Sequence, residues 1–126
     1  MIGRARRLLL VEDNDDIRES LTRLLESKGY VVDAARHGQE ALQKLRQNGP
    51  PCLAIMDLIM PVMDGWQLRR ELLKDEKFAA VPVVIVSGVA NLQKASSVDS
   101  VAKLQKPVSL PKLYHILDEH CSPCLD

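Results

Sequence analysis

The sequence predicts an α/β domain with a five-stranded parallel sheet covered by helices on both faces. Three observations carry this. Short apolar runs alternate five times with stretches of helical period, which implies a parallel sheet with right-handed crossovers. Two of the runs, Cys52 to Met56 and Val81 to Val86, are apolar throughout, as strands buried on both faces are. Four of the five runs end on a polar group, which places chemistry at one edge of the sheet.

The elements follow in order. Leu8 to Val11 reads as a buried strand emptying into the acidic loop Glu12-Asp13-Asn14-Asp15-Asp16. Asn14 is the expected N-cap, and Asp15 and Asp16 fall in a first turn where the helix dipole favours negative charge. Ile17, Leu21, Leu24 and Leu25 supply the inner face of a helix that Gly29 stops. Tyr30 to Ala35 is a second strand, less uniformly apolar and so nearer an edge; His37-Gly38 punctuates it. Ala41, Leu42 and Leu45 mark the next helix, ended by Asn48-Gly49-Pro50-Pro51. The third strand stops on Asp57, and Asp64 with Gln67 has the spacing of a capping box for a helix whose inner face is Leu68, Leu72 and Leu73. After the fourth strand, which ends on Ser87-Gly88, the segment 89–100 shows only a thin apolar stripe and predicts the least stable helix. Val101 to Gln105 forms a fifth strand ending on Lys106-Pro107. Ser109 caps a last helix facing inward with Leu110, Leu113, Ile116 and Leu117.

The chain's 126 residues suffice for one domain with a real core, taken as residues 1–126 with the core at about 7–120 and short tails. A net charge of zero argues against a nucleic-acid surface spread over the molecule. Arg4, Arg6 and Arg7 ahead of Leu8 superficially resemble a signal peptide, but Glu12-Asp13 ends the apolar run too early. No window approaches the roughly 20 apolar residues of a membrane helix. Cys52, Cys121 and Cys124 are an odd number, and Cys52 lies in the strand pattern; this suits reduced thiols and a cytoplasmic setting better than a disulfide framework. Cys121-Ser122-Pro123-Cys124 has the spacing of zinc and redox sites, with His120 adjacent, but no second cysteine pair accompanies it. Trp66 reads as packing, and His37 and His115 as loop and helix-surface residues.

In a parallel sheet all strand C-termini share one edge, so Glu12, Asp13, Asp57, Ser87 and Lys106 can converge. At an effective dielectric of about 20, one carboxylate pair about 4 Å apart costs roughly 4 kcal/mol. Lys106 offsets part of this, and a hard divalent ion with oxygen ligands is the natural remainder. Mg²⁺ fits, since it uses one or two carboxylates and accepts phosphate oxygens. Asp57 is then placed to attack phosphorus while metal, ammonium and the Ser87 hydroxyl neutralise the equatorial oxygens.

Taken together, Glu12-Asp13, the run Asp57-Leu58-Ile59-Met60-Pro61-Val62-Met63-Asp64-Gly65, Ser87-Gly88 and Lys106-Pro107 resemble the receiver domain of two-component response regulators over essentially the whole chain. The resemblance implies a flavodoxin-like (βα)5 fold with strand order 2-1-3-4-5. It implies Asp57 as phospho-acceptor, Glu12 and Asp13 as metal ligands, and Ile59 as a ligand through its backbone carbonyl. Ser87 becomes the switch hydroxyl, Lys106 the phosphate-binding ammonium, and Lys106-Pro107 a cis peptide. The cofactor is Mg²⁺, with Mn²⁺ as an alternative. The phosphoryl group comes from a sensor histidine kinase or a histidine phosphotransfer protein. An effector or a second copy then reads the state at the face of the fourth predicted helix, fifth strand and fifth helix. No direct nucleic-acid or membrane contact is implied; the domain is a signalling module with some autodephosphorylation rather than a metabolic enzyme.

One departure stands out. Receivers often carry Tyr or Phe three residues before the strand-end lysine, where this chain has Lys103. Burying an unpaired ammonium is expensive, so signalling is expected without an aromatic gate, through displacement of the 87–100 segment alone. Gly88 leaves space beside Ser87, while Ile59 and Val89 make the approach apolar, which predicts slow attack by water. The rival readings are a degenerate receiver that docks partners without phosphorylation and a small-molecule aspartyl-phosphate phosphatase. The latter would want an acid two residues after Asp57, where Ile59 stands. A flavin-binding domain is disfavoured, because no phosphate loop follows the first strand.

Overall fold

A computed structural model describes residues 6–60, 62–88 and 100–121. Five strands, β1 (Arg7–Val11), β2 (Val31–Ala35), β3 (Leu53–Asp57), β4 (Val83–Ser87) and β5 (Ala102–Gln105), pair in parallel in the order β2-β1-β3-β4-β5. The helices are α1 (Asp15–Ser27), α2 (Gly38–Asn48), α3 (Gly65–Lys74), the single turn α4 (Glu76–Ala79) and α5 (Leu110–His120). This is the flavodoxin-like topology the sequence implied. The helix expected over 89–100 lies outside the described residues.

The strand alternation divides the core into two layers. Leu9, Val11, Ala54, Met56, Val83 and Ile85 point to one face, covered by Leu42 and Leu45 of α2, Leu68 and Leu72 of α3, and Phe78 of α4. Leu8, Leu10, Leu53, Ile55, Val84 and Val86 point to the other, covered by Leu21 and Leu25 of α1 and by Leu113, Ile116 and Leu117 of α5. Both central strands, β3 and β4, are buried along their whole length, and the half-exposed β2 is indeed an edge strand.

Helix ends follow local chemistry. The Asn14 side chain accepts from Ile17 N–H at 2.9 Å and starts α1. Asp64 and Gln67 close a reciprocal capping box at α3, with Asp64 accepting from Gln67 N–H at 2.9 Å and Gln67 accepting from Asp64 N–H at 3.2 Å. Gly29 ends α1 with φ +95°, a conformation that a side chain would resist. His37, expected as mere punctuation, accepts from Glu40 N–H through Nδ1 and caps α2.

Three expectations are corrected. Leu73 is not on the inner face of α3 but 49% exposed; Arg69 is the buried residue of that helix besides Gly65, Leu68 and Leu72. Ile17 and Leu24 are each 38% exposed, because α1 turns them toward a groove rather than onto the sheet. The thiols are not all free either. Cys52 precedes β3 instead of belonging to it, and it is disulfide-bonded to Cys121 at the end of α5, with Cα atoms 5.7 Å apart. A zinc or redox role built on Cys121 and Cys124 loses its first ligand to this bond. Cys124 lies outside the described residues.

Candidate phosphoryl-acceptor site

The ends of β1, β3 and β5 meet at the C-terminal edge of the sheet. Met56 lies beside Val11 in the sheet, and Asp57 beside Val86, so Glu12 and Asp57 each sit at a strand tip. Glu12 and Asp57 are buried, at 3% and 6% exposure, while Asp13 is exposed. One carboxylate oxygen of each of the three lies within 4.8 Å of the others, the single cluster of this kind among the described residues. Lys106 Nζ donates to Asp57 Oδ2 at 2.6 Å and lies 3.0 Å from Glu12 Oε1. The Lys106-Pro107 peptide that follows is cis.

Each group is held by its neighbours. Glu12 Oε2 accepts from Asn14 N–H at 3.0 Å, and Arg18 Nη1 donates to the Glu12 carbonyl at 3.0 Å. Arg18 is a positioning residue absent from the sequence-based set, although it lies one turn beyond the Asn14 cap and so faces back toward the acidic loop. Asp57 Oδ1 accepts from Ile59 N–H at 3.1 Å. Lys106 N–H bonds the Ser87 carbonyl at 2.8 Å, which brings the ends of β4 and β5 together. Ser87 is fully buried, and its Oγ has no hydrogen-bond partner among the described residues. A buried hydroxyl without a partner is costly; here it leaves a donor free at the strand edge that carries the carboxylates.

Electrostatics agree with the geometry. Burial pushes the Glu12 carboxyl above its ordinary value, and the bonds from Asn14 and Lys106 only partly oppose this. Burial alone would lower the Lys106 ammonium, but hydrogen bonds and charge from Asp57 and Glu12 outweigh it and leave the group raised. Three carboxylates against one ammonium leave a charge of minus two. All the donors are hard oxygens, the set that suits a small divalent cation such as Mg²⁺.

The loop after β3 is tightly bound. Gly65 N–H donates to the Leu58 carbonyl at 2.8 Å, and a Cβ at Gly65 would sit 2.7 Å from the Asp57 carbonyl oxygen and 2.8 Å from Leu58 Cα. Both are backbone atoms that cannot swing aside. Gly65→Ala is therefore expected to cost about 1–3 kcal/mol, as overpacking does, and to displace Asp57. A melting curve measures the first effect and the rate of labelling by a phosphodonor the second; a fully stable, fully active variant would contradict the packing described.

Lys103 lies on the exposed side of β5, where its Nζ donates to Ser100 Oγ at 3.0 Å. Ile59 is 51% exposed beside the site, and the space around Gly88 is open. Val89 lies outside the described residues. A cavity of about 540 Å³ runs from Glu12, Asp57 and Lys106 along Ile17, Leu21 and Leu24 of α1 to Val108 and Leu110 at the start of α5. His115 is a surface residue 3.7 Å from Glu119, far from any role in this cluster.

Comparison with known proteins decides the family. Residues 8–118 match the response regulator receiver domain. The chain belongs to that family. This receiver is 37% identical over 81 residues to the protein PilH of Pseudomonas aeruginosa, covering 64% of this chain and 66% of PilH. It is 41% identical over 113 residues to the sensor kinase CckA of Brucella abortus, covering 84% of this chain but 11% of that protein. The receiver thus spans less than two thirds of either relative. Among solved structures, the receiver domain of the sensor histidine kinase PA1611 of Pseudomonas aeruginosa, which has a magnesium ion coordinated in its active-site cleft, superposes with a TM-score of 0.83 at 27% identity, covering 92% of this chain and 97% of that one. The chemotaxis protein CheY4 of Vibrio cholerae gives 0.78 at 26% identity, covering 90% and 97%. No described helix is long and apolar enough to cross a membrane.

Proposed function

We propose that this receiver takes a phosphoryl group onto Asp57 from the phosphohistidine of a sensor histidine kinase or histidine phosphotransfer protein. The observation that carries the reading is the placement of Lys106 Nζ at 2.6 Å from Asp57 and 3.0 Å from Glu12, beside an acidic trio whose charge it only partly balances. An Asp57 oxygen attacks phosphorus in line, the new O–P bond forms as the N–P bond breaks, and the donor imidazole leaves. Lys106 then follows the transferred charge, and the buried Ser87 hydroxyl gains the partner it lacks.

Glu12, Asp13 and Asp57, with the Ile59 carbonyl, would hold Mg²⁺. Bound there, the ion neutralises charge on the carboxylates and on the phosphoryl oxygens. The magnesium ion in the active-site cleft of the similar PA1611 receiver supports a divalent cation in this cleft. The apolar groove between α1 and α5 offers a seat for a helix bearing the donor histidine, since it ends at Asp57. With Lys103 directed to solvent, the phosphorylated state is read through movement of the 87–100 segment by an effector or a second copy. The apolar flanks of the site, Ile59 among them, slow hydrolysis.

Incubation with a small phosphodonor tests this. Wild-type protein should gain one phosphoryl group by intact mass when Mg²⁺ is present, and lose the gain with a chelator. Asp57→Asn should gain none. Mg²⁺ at about 100 times its Kd should also stabilise the fold by roughly 2.7 kcal/mol; equal melting with and without the ion would count against the ligand set.

A further inference from the structure

Away from the phosphoryl-acceptor edge, the same α5 helix is tied down at its other end. Helices in this fold run against the strands, so α5 ends at the edge where β3 begins. Cys121, the C-cap of α5, is disulfide-bonded there to Cys52, closing a loop across a sequence separation of 69 residues. The rest of the anchorage is non-covalent. Tyr30 Oη donates to the Cys121 carbonyl at 3.4 Å, Cys52 N–H donates to the Arg7 carbonyl at 2.8 Å, and Leu113, Ile116 and Leu117 pack on the sheet. These contacts do not need the S–S bond, so opening it loosens the helix end without removing the core beneath it.

We infer that Cys52–Cys121 is a thiol–disulfide exchange site, a redox-responsive clasp that sets how firmly the C-terminal end of α5 is held to the sheet. Its co-reactant is a small dithiol. Cys121 is buried at 2% exposure, whereas Cys52 is half-buried, so attack falls on the Cys52 sulfur. A dithiol thiolate bonds to Cys52 Sγ, the S–S bond breaks, and its electron pair leaves on Cys121 Sγ, which takes up a proton. The second thiolate of the reagent then displaces Cys52 as a thiolate, which is protonated in turn. The reagent ends as a disulfide, having supplied two electrons. A small-molecule disulfide restores the clasp by the reverse sequence.

Amide hydrogen exchange on the whole chain tests the inference, in a Cys124→Ser background so that only two cysteines react. Treatment of the folded protein with dithiothreitol should free two thiols and speed exchange at residues 117–121 at least about tenfold, while β3 and β4 remain the best-protected strands. Oxidised glutathione should reverse both changes. Cys52→Ser should show the faster exchange from the start and ignore the reductant; should that variant fold poorly, the wild-type reduction series still decides. Equal protection at 117–121 in both redox states would overturn the inference, as would resistance of the bond in the folded protein to the dithiol. So would two alkylatable thiols before any reductant is added, or a zinc ion held by the cysteines.

Discussion

Replacing Lys106 with Met is expected to destabilise the fold by about 2–4 kcal/mol. The ammonium lies within hydrogen-bond reach of both Asp57 and Glu12, two carboxylates that are 6% and 3% exposed. Removing one member of a buried ion pair typically costs about 3–5 kcal/mol, because the other charge stays behind without compensation. The Lys106 side chain is 27% exposed, so solvent already screens it in part and the cost falls toward and below the low end of that range. For a chain this long the melting temperature should fall by roughly 8–15 °C.

Two controls isolate the cause. Glu12→Gln added to Lys106→Met should recover part of the loss, since a single carboxylate then remains against Asp13. The pH dependence has a definite sign. Pairing raises Lys106 above its ordinary 10.5, so its contribution is complete below pH 10.5 and is lost as pH rises through the higher folded value. The gap between wild type and variant should therefore hold steady from about pH 8 to 10.5, shrink as pH rises from there to the folded value, and be gone above it. A variant as stable as wild type at neutral pH would mean the carboxylates are balanced by something else.

The second large effect concerns the opposite edge. Reducing Cys52–Cys121 should lower stability by about 4.4 kcal/mol, the entropy a cross-link of this span removes from the unfolded chain. The melting temperature should drop by roughly 15–20 °C. Calorimetry with and without dithiothreitol measures it, and Cys52→Ser supplies the reductant-insensitive baseline. A shift of less than a degree or two would show that the bond adds nothing to the anchorage of α5.

Much of this was legible in the sequence, for identifiable reasons. The core strands announce themselves because burial on both faces demands unbroken apolar runs, as in β3 and β4. The acidic cluster and Lys106 stand at strand ends, and in a parallel sheet strand ends converge, so sequence position alone brings them together. Caps such as Asn14 and Asp64 are local chemistry, visible in the few residues that surround each helix start.

What escaped depends on the third dimension. Leu73 follows Leu72, yet the turn of α3 sends it outward while Arg69 goes in. The four-residue turn α4 is too short to show a period, so the burial of Phe78 gave no signal. The Cys52–Cys121 pairing joins residues that no spacing rule connects. A clue existed all the same: a helix following the last strand must end where the earlier strands begin, and Cys52 stands at the start of β3.

The claim that acid, hydroxyl and amine serve one acceptor aspartate is tested most directly by locating the phosphoryl group. Protein labelled by a phosphodonor with Mg²⁺ is treated with borohydride, which reduces an acyl phosphate to the alcohol, and is then digested and sequenced by tandem mass spectrometry. Homoserine is expected at position 57 and nowhere else, with no conversion when the ion is withheld. A phosphoryl group found on His37, His115 or another carboxylate, or conversion at position 57 without a divalent cation, would contradict it.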